Sequence, residues 1–158
     1  MTVVRYTLIS DGSSDETLLP ILNWLTSQHL GLEPQGAWAD FRRLNNPPSR
    51  LSQQIVMAIE LYPCEILFIH RDAEREPRQI RVEEINQAVI ESATTQRSVS
   101  HVAVVPVRMT EAWLLLDERA IRLAAGNPNG RMPLEMPSID RLESLPDPKE
   151  HLFRCLRV

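Results

Sequence analysis

The chain has 158 residues and 18.1 kDa, is 43% hydrophobic, and sets 17 Lys and Arg against 21 Asp and Glu, for a net charge of −4 and a pI near 5.6. A chain of this size makes one domain and buries roughly two-thirds of its unfolded surface, which argues against disorder. No apolar run approaches the roughly 20 residues of a membrane span. MTVVRYTLISDG lacks the basic leader and apolar core of a secretion signal, so a cytoplasmic protein with no membrane partner is expected.

Net acidity argues against a simple polyanion-coating protein but not against an enzyme that holds phosphate through a few cations. Sixteen of the 17 cations are arginine, the side chain suited to bidentate phosphate contacts, although an arginine-preferring genome explains the bias equally well. Cys64 and Cys155 match no metal or redox spacing and read as reduced packing residues.

In chain order, Val3 to Ser10 reads as a buried strand. Ser13 or Ser14 caps a helix with Leu18, Ile21, Leu22 and Leu25 on one face, and Gly31 stops it. A shorter strand is predicted at Ala37 to Leu44, then an NNPPS turn and a helix carrying Leu51, Ile55, Ala58, Ile59 and Tyr62 up to Pro63. CEILFIH, Cys64 to His70, is the strongest strand, rich in β-branched and aromatic residues. After RDAEREPR, Pro77 opens a helix with Val82, Ile85, Val89 and Ala93 inward, and Val99 to Val107 is a fourth strand. Thr110 caps a helix running to Gly126. A loop, NPNGRMPLEMP, leads to a last helix signalled by Asp147, Pro148 and Glu150.

Strands alternating with helices predict an α/β domain with a mainly parallel four-stranded sheet flanked by helices. Ligands of such sheets bind beyond the carboxyl ends of the strands. The residues just past the three strongest strands are Asp11, Asp72 and Glu111, with Asp15, Glu16 and Glu74 beside them, and all are carboxylates. Converging acids repel one another, and a hard divalent cation relieves this. Asp72 and Glu74, two apart, present carboxylates to the same side of extended backbone. The alternatives remain open: Asp15, Glu16 and Glu111 complement a helix dipole in first turns, and Asp72 and Glu74 decorate a solvated loop. Arg71, Arg75, Arg78 and Arg81 surround the pair and read by default as surface charge balance.

Other candidates are weaker. DGSSDE lacks the glycines and lysine of a phosphate loop, and neither serine has a neighbouring base. His70 reads as a partly buried structural residue, with a ligand or proton-carrying role as the alternative. Trp24, Trp38 and Trp113 read as core, and Asp117 as structural or supporting.

LISDGSSDETLL, LFIHRDAE and VPVRMTEAWLLLD, in that order on a βα framework over about residues 1–125, resemble the Toprim fold of topoisomerases, primases and overcoming-lysogenization-defect nucleases. The combination is similar to Toprim-like bacterial proteins encoded beside ATPases in anti-phage defence loci. The resemblance implies a Toprim-like Rossmannoid domain over 1–126, with 127–158 as a Pro-rich loop and C-terminal helical extension. It implies an Mg²⁺- or Mn²⁺-dependent nuclease acting on nucleic acid (DNA or RNA), with an ATPase partner protein. Asp11, Asp72 and Glu74 would be catalytic; Asp11, Asp15, Glu16, Asp72, Glu74 and Glu111 would serve metal; Arg71, Arg75 and Arg78 would contact phosphate. Asp11 stands where the family's usual residue is glutamate, and Glu74 where it is aspartate. Two rival readings are a non-catalytic partner- or nucleotide-binding module of the same fold and a phosphotransferase acting on small phosphoesters. The sequence leaves the nucleic acid, the cleavage polarity and any homo-oligomer open.

Overall fold

A computed structural model describes residues 2–73, 76–93, 99–107 and 109–157. Its four strands are β1 (Val3–Ile9), β2 (Glu33–Trp38), β3 (Ile66–His70) and β4 (Ser100–Val104), and the helices are α1 (Leu18–Leu30), α2 (Leu51–Leu61), α3 (Arg78–Ala93), α4 (Glu118–Ala124) and α5 (Pro148–Leu156). All the strand pairs are parallel, in the order β2-β1-β3-β4, so the expected four-stranded α/β architecture is present. By contacts the chain forms two compact units, Met1–Arg71 with Gln79–Val105, and Asp72–Arg78 with Pro106–Val158.

The sheet unit follows from its apolar pattern. β1 and β3 are interior strands, and Leu8, Ile9, Leu67 and Ile69 are all but fully buried, as strands covered on both faces require. α1 buries Leu18, Leu22 and Thr26 at four-residue spacing, while Leu25, expected inward, is 39% exposed. The predicted serine caps are not made. Ser13 and Ser14 lie in a 3-10 turn, Ser13–Thr17, that precedes the helix proper. Gly31, at φ 61°, ends α1 in the left-handed region as expected.

The second strand departs from prediction, lying at Glu33–Trp38 rather than Ala37–Leu44. Pro34 and Gly36 disguise it. Proline is tolerated on an edge strand, which β2 is, and Gly36 pairs with Tyr6, whose ring fills the space that a Cβ on Gly36 would enter. Strand β2 gives way to an Asx turn, in which the Arg42 N–H donates to Asp40 Oδ1 at 3.1 Å. Buried Tyr6 in turn donates its hydroxyl to Asn23 Oδ1 at 2.8 Å, and burial pushes its phenol up to about 12.

In the other unit the predicted helix from Thr110 to Gly126 is two pieces, a 3-10 turn at Thr110–Leu116 and then α4. Asp117 makes the break. Its backbone is extended, and its carboxylate accepts the N–H groups of Arg119 at 2.8 Å and Ala120 at 3.1 Å, an N-cap. The structural reading of Asp117 is therefore correct. Asp147 caps α5 as predicted, accepting from the Glu150 N–H at 2.8 Å with Pro148 first in the helix. A small core of Leu115, Ile121, Leu142, Leu152 and Cys155 gathers these pieces, with Leu134 and Met136 of the Pro-rich loop packed on it. Both cysteines are free, and burial pushes the Cys155 thiol up, consistent with packing. Among the described residues no helix is long and apolar enough to cross a membrane.

Candidate functional site

The strand order reverses between β1 and β3: from β1 the chain moves outward to β2, then returns to β3 on the other side. Crevices in open α/β sheets form beyond the carboxyl ends of the strands at such a switch point. Asp11 lies two residues past the end of β1, and Arg71 one residue past the end of β3. Their side chains meet there. Arg71 donates from Nη1 to Asp11 Oδ1 at 2.6 Å and from Nη2 to Glu84 Oε1 at 2.7 Å, and Arg81 Nη1 donates to Glu84 Oε2 at 3.0 Å. The guanidinium thus forms a bridge between a strand-end acid and an acid on α3.

Asp11 and Asp15, four residues apart, have contrasting surroundings. Asp11's side chain is half exposed, and its pKa is raised, because partial desolvation outweighs the attraction of Arg71 and His70. Asp15 is buried. Burial would push its carboxyl up, but the His70 side chain, the Gly12 N–H and the Ser10 hydroxyl outweigh that and hold it below the usual carboxylate range. Gly12 N–H donates to Asp15 Oδ2 at 3.0 Å, and His70 Nδ1 lies 3.4 Å from the same oxygen. Asp15 is therefore built into the β1–α1 turn, which it ties to the end of β3. His70 is fully buried at that end, where a partly buried residue was expected, and it lies against Asp15.

A second edge of the turn is held by Trp38. Its Nε1–H donates to Ser10 Oγ at 2.9 Å, and Ser10 Oγ donates to the Gly12 carbonyl at 3.1 Å. The guanidinium of Arg42 lies over the Trp38 ring, 4.8 Å from its centroid. Trp38 is half-buried with a polar role, and Trp24 is 58% exposed; neither is the core residue that its aliphatic neighbours suggested. Glu16 is exposed.

The remaining predicted residues belong elsewhere. Asp72, Arg78 and Glu111 lie in the other unit, where Asp72 and Glu111 are half-buried and Arg78 is exposed. The segment after β3 is fixed there by a hydrogen bond from the Ala73 N–H to the Pro106 carbonyl at 3.2 Å. Glu74 and Arg75 lie outside the described residues. Among the described residues, no group of three or more His, Cys, Asp or Glu is placed to hold a metal ion. The sequence does not single out Glu84 or Arg42, and it reads Trp38 as core rather than as a polar contact. Only the arginine run before α3 hinted that an acid on that helix would be paired. Arg71 and Glu84 also line a hollow of about 380 Å³ with Arg50, Ser52, Gln54 and Gln87. A larger hollow of about 640 Å³ around Asn46, Gln53 and Met57 includes none of the predicted site residues.

Comparison of the chain with protein-family models, curated proteins and solved structures finds no match.

Proposed function

We propose that the chain is a Toprim-like, Mg²⁺- or Mn²⁺-dependent nuclease of the cytoplasm that cleaves nucleic-acid phosphodiesters together with an ATPase partner. The observation that carries this reading is the half-exposed Asp11 carboxylate beside a guanidinium at the β1/β3 switch point of a parallel sheet. The position is where such sheets bind ligands, and its charge pattern, an acid to engage a cation and an arginine to engage an anion, suits a phosphodiester.

The donor set bears on the metal. Asp11, Asp72 and Glu74 offer only carboxylate oxygen, which suits a hard divalent ion that takes one or two carboxylates and completes its shell with water and phosphate. On this reading Asp72 and Glu74 would hold it, Asp11 would act with them, and Asp15, Glu16 or Glu111 would support a further position. When bound, the ion supplies polarisation of a phosphate oxygen and stabilises the attacking and leaving oxygens. Asp11 would act as a further ligand of that ion or as a general acid or base for the attacking and leaving oxygens. Arg71 orients Asp11. It reaches phosphate by exchanging one of its two carboxylate partners for the substrate, as Arg75 and Arg78 would from the following segment.

The same clamp favours a second reading. An Asp11 already neutralised by Arg71 suits a non-catalytic module of this fold that binds a partner or nucleotide. Cleavage of DNA and RNA with Mg²⁺ or Mn²⁺, by wild type and by Asp72→Ala and Asp11→Asn, separates the two. Metal-stimulated cleavage that falls at least tenfold in both variants, with the fold intact by circular dichroism, supports the nuclease. Cleavage undiminished in Asp72→Ala, or none with either metal, overturns it, and co-purification with an ATPase in the latter case favours the binding module.

A further inference from the structure

The segment after β2 carries a cationic group set over an indole. Arg42 is fixed on three sides: its guanidinium lies 4.8 Å over the Trp38 ring, its Nε donates to Asp40 Oδ1 at 2.7 Å, and its Nη2 donates to Asp40 Oδ2 at 3.0 Å. Asp40 also accepts Arg42's own N–H, and these bonds hold its carboxyl at about 2, so the pair stays ionised throughout the physiological range. Even so, the Arg42 side chain is 61% exposed. Nε and Nη2 face the carboxylate and the guanidinium carbon lies over the indole, which leaves Nη1 and the opposite side of the group as the approach for a ligand. A flexible arginine loses side-chain entropy when it stacks on a ligand, and a clamped one has already lost it.

The plane is also tied to the candidate site. The indole under it donates to Ser10, the residue before Asp11, so Trp38 links the platform and the strand-end acid through one hydrogen bond and one peptide step. The geometry points to a nucleobase-stacking platform: the outer face of Arg42, backed by Trp38, receives the flat face of a base whose phosphate lies toward Asp11 and Arg71. Guanidinium and aromatic planes stack bases with little sequence preference, because every base has a π-face. The inference takes its ligand class, a nucleotide, from the proposed function and adds the residues that hold the base. The base could belong to a polynucleotide or to a free mononucleotide.

The test measures binding without cleavage. Fluorescence anisotropy in EDTA would compare a labelled single-stranded oligothymidylate with an abasic strand of equal length and phosphate count. Stacking of one base predicts that wild type binds the base-bearing strand about five- to a hundredfold tighter than the abasic one. Arg42→Ala and Arg42→Lys should bring that ratio close to one, the lysine variant because it keeps the charge and loses the plane. Trp38→Phe, which keeps an aromatic backing, should retain part of it. Competition by unlabelled thymidine monophosphate that releases the strand assigns the platform to free nucleotides, and failure to compete assigns it to the chain. A ratio of one in wild type, a full ratio in Arg42→Lys, or no binding of either strand overturns the platform. Because no metal is present, base-dependent binding by a protein that cleaves nothing leaves the platform standing while the nuclease reading fails. Cleavage without base dependence does the reverse.

Discussion

In the sheet unit, the N-cap side chains of α1 and α2 accept no hydrogen bond, whereas in the other unit Asp117 and Asp147 each cap a helix through their carboxylates. Length and packing explain the difference. The helices α1, α2 and α3 have 13, 11 and 16 residues and lie over a sheet whose central side chains, Leu8 and Ile69, are wholly buried. α4 and α5 have 7 and 9 residues, shorter than any of these and well below the roughly 12–15 at which a helix sustains itself in water. Their shared core is five residues, and Leu116, Leu123, Met132 and Ile139 nearby in sequence are more than half exposed. The long helices start on other contacts, the Leu18 N–H donating to carbonyls of the 3-10 turn before α1 and the Arg50 N–H to Gln53 Oε1 at 3.4 Å, whereas the short ones, over a shallower core, add a charged side chain at each start. Arg122 shows the second strategy again, donating to Glu118 and to the Met132 carbonyl at 2.6 Å each, and so pinning the Pro-rich loop to α4.

The contrast breaks most readily in the core. Ile69→Ala, in an interior strand, should cost about 3–5 kcal/mol by chemical denaturation, and Leu142→Ala, in the smaller core, about 2–3 kcal/mol. Hydrogen exchange should show the amides of β1 and β3 protected well beyond those of α4 and α5. Equal costs and equal protection would remove the distinction between the units. Next comes Gly36→Ala. The new methyl meets the Tyr6 ring, which is packed at the centre of the unit and anchored through its hydroxyl, so a loss of about 1–3 kcal/mol is expected. Pairing it with Tyr6→Leu, which vacates the contact, should make the double variant less destabilised than the sum of the singles. Smaller again, Asp117→Ala and Asp147→Ala should each cost about 1 kcal/mol in thermal or urea unfolding, with the matching Asn substitutions recovering much of it. Cap removal that is silent would mean that the short helices are held by packing after all.

These differences also mark what could be read from the chain. Asp147 and Gly31 act within a turn of their own helices, and local spacing revealed both. CEILFIH is a strand in any interior context, and β3 lies within it. Local pattern misplaces β2 because its Gly36 answers to Tyr6, 30 positions earlier, and its Pro34 is permitted by an edge position that no local pattern states. The break at Asp117 was hidden because Trp113, Leu116, Ala120 and Leu123 keep a helical period straight across it. At the site, the strand-end position of Asp11 was legible from the alternation of elements. Its partner was not, because the Arg71 bridge to Glu84 depends on how α3 lies against the end of β3. The order β2-β1-β3-β4, which makes that end a switch point, is equally a property of the assembled sheet.

The smallest predicted effect separates the two acids of the β1–α1 turn, where one carboxylate faces solvent and the other is built into the backbone. Asp15 has a folded pKa below its unfolded value of about 3.9, so its ionised form stabilises the fold above that value and the contribution is lost as pH falls through the folded pKa. Asp11 has the opposite sign. With its folded pKa raised, its contribution is fully present below the unfolded value and is lost as pH rises through the folded one. Melting temperatures measured from about pH 7 down to about pH 2.5 should therefore show Asp15→Asn flattening the acid limb below the ordinary carboxylate range. Asp11→Asn should alter the profile above it. The amide in Asp15→Asn still accepts the Gly12 N–H through its oxygen, so a change confined to the slope isolates the charge from the turn. An Asp15→Asn profile parallel to wild type down to the lowest pH would mean that the His70 and Gly12 contacts hold the turn without favouring the ionised carboxylate.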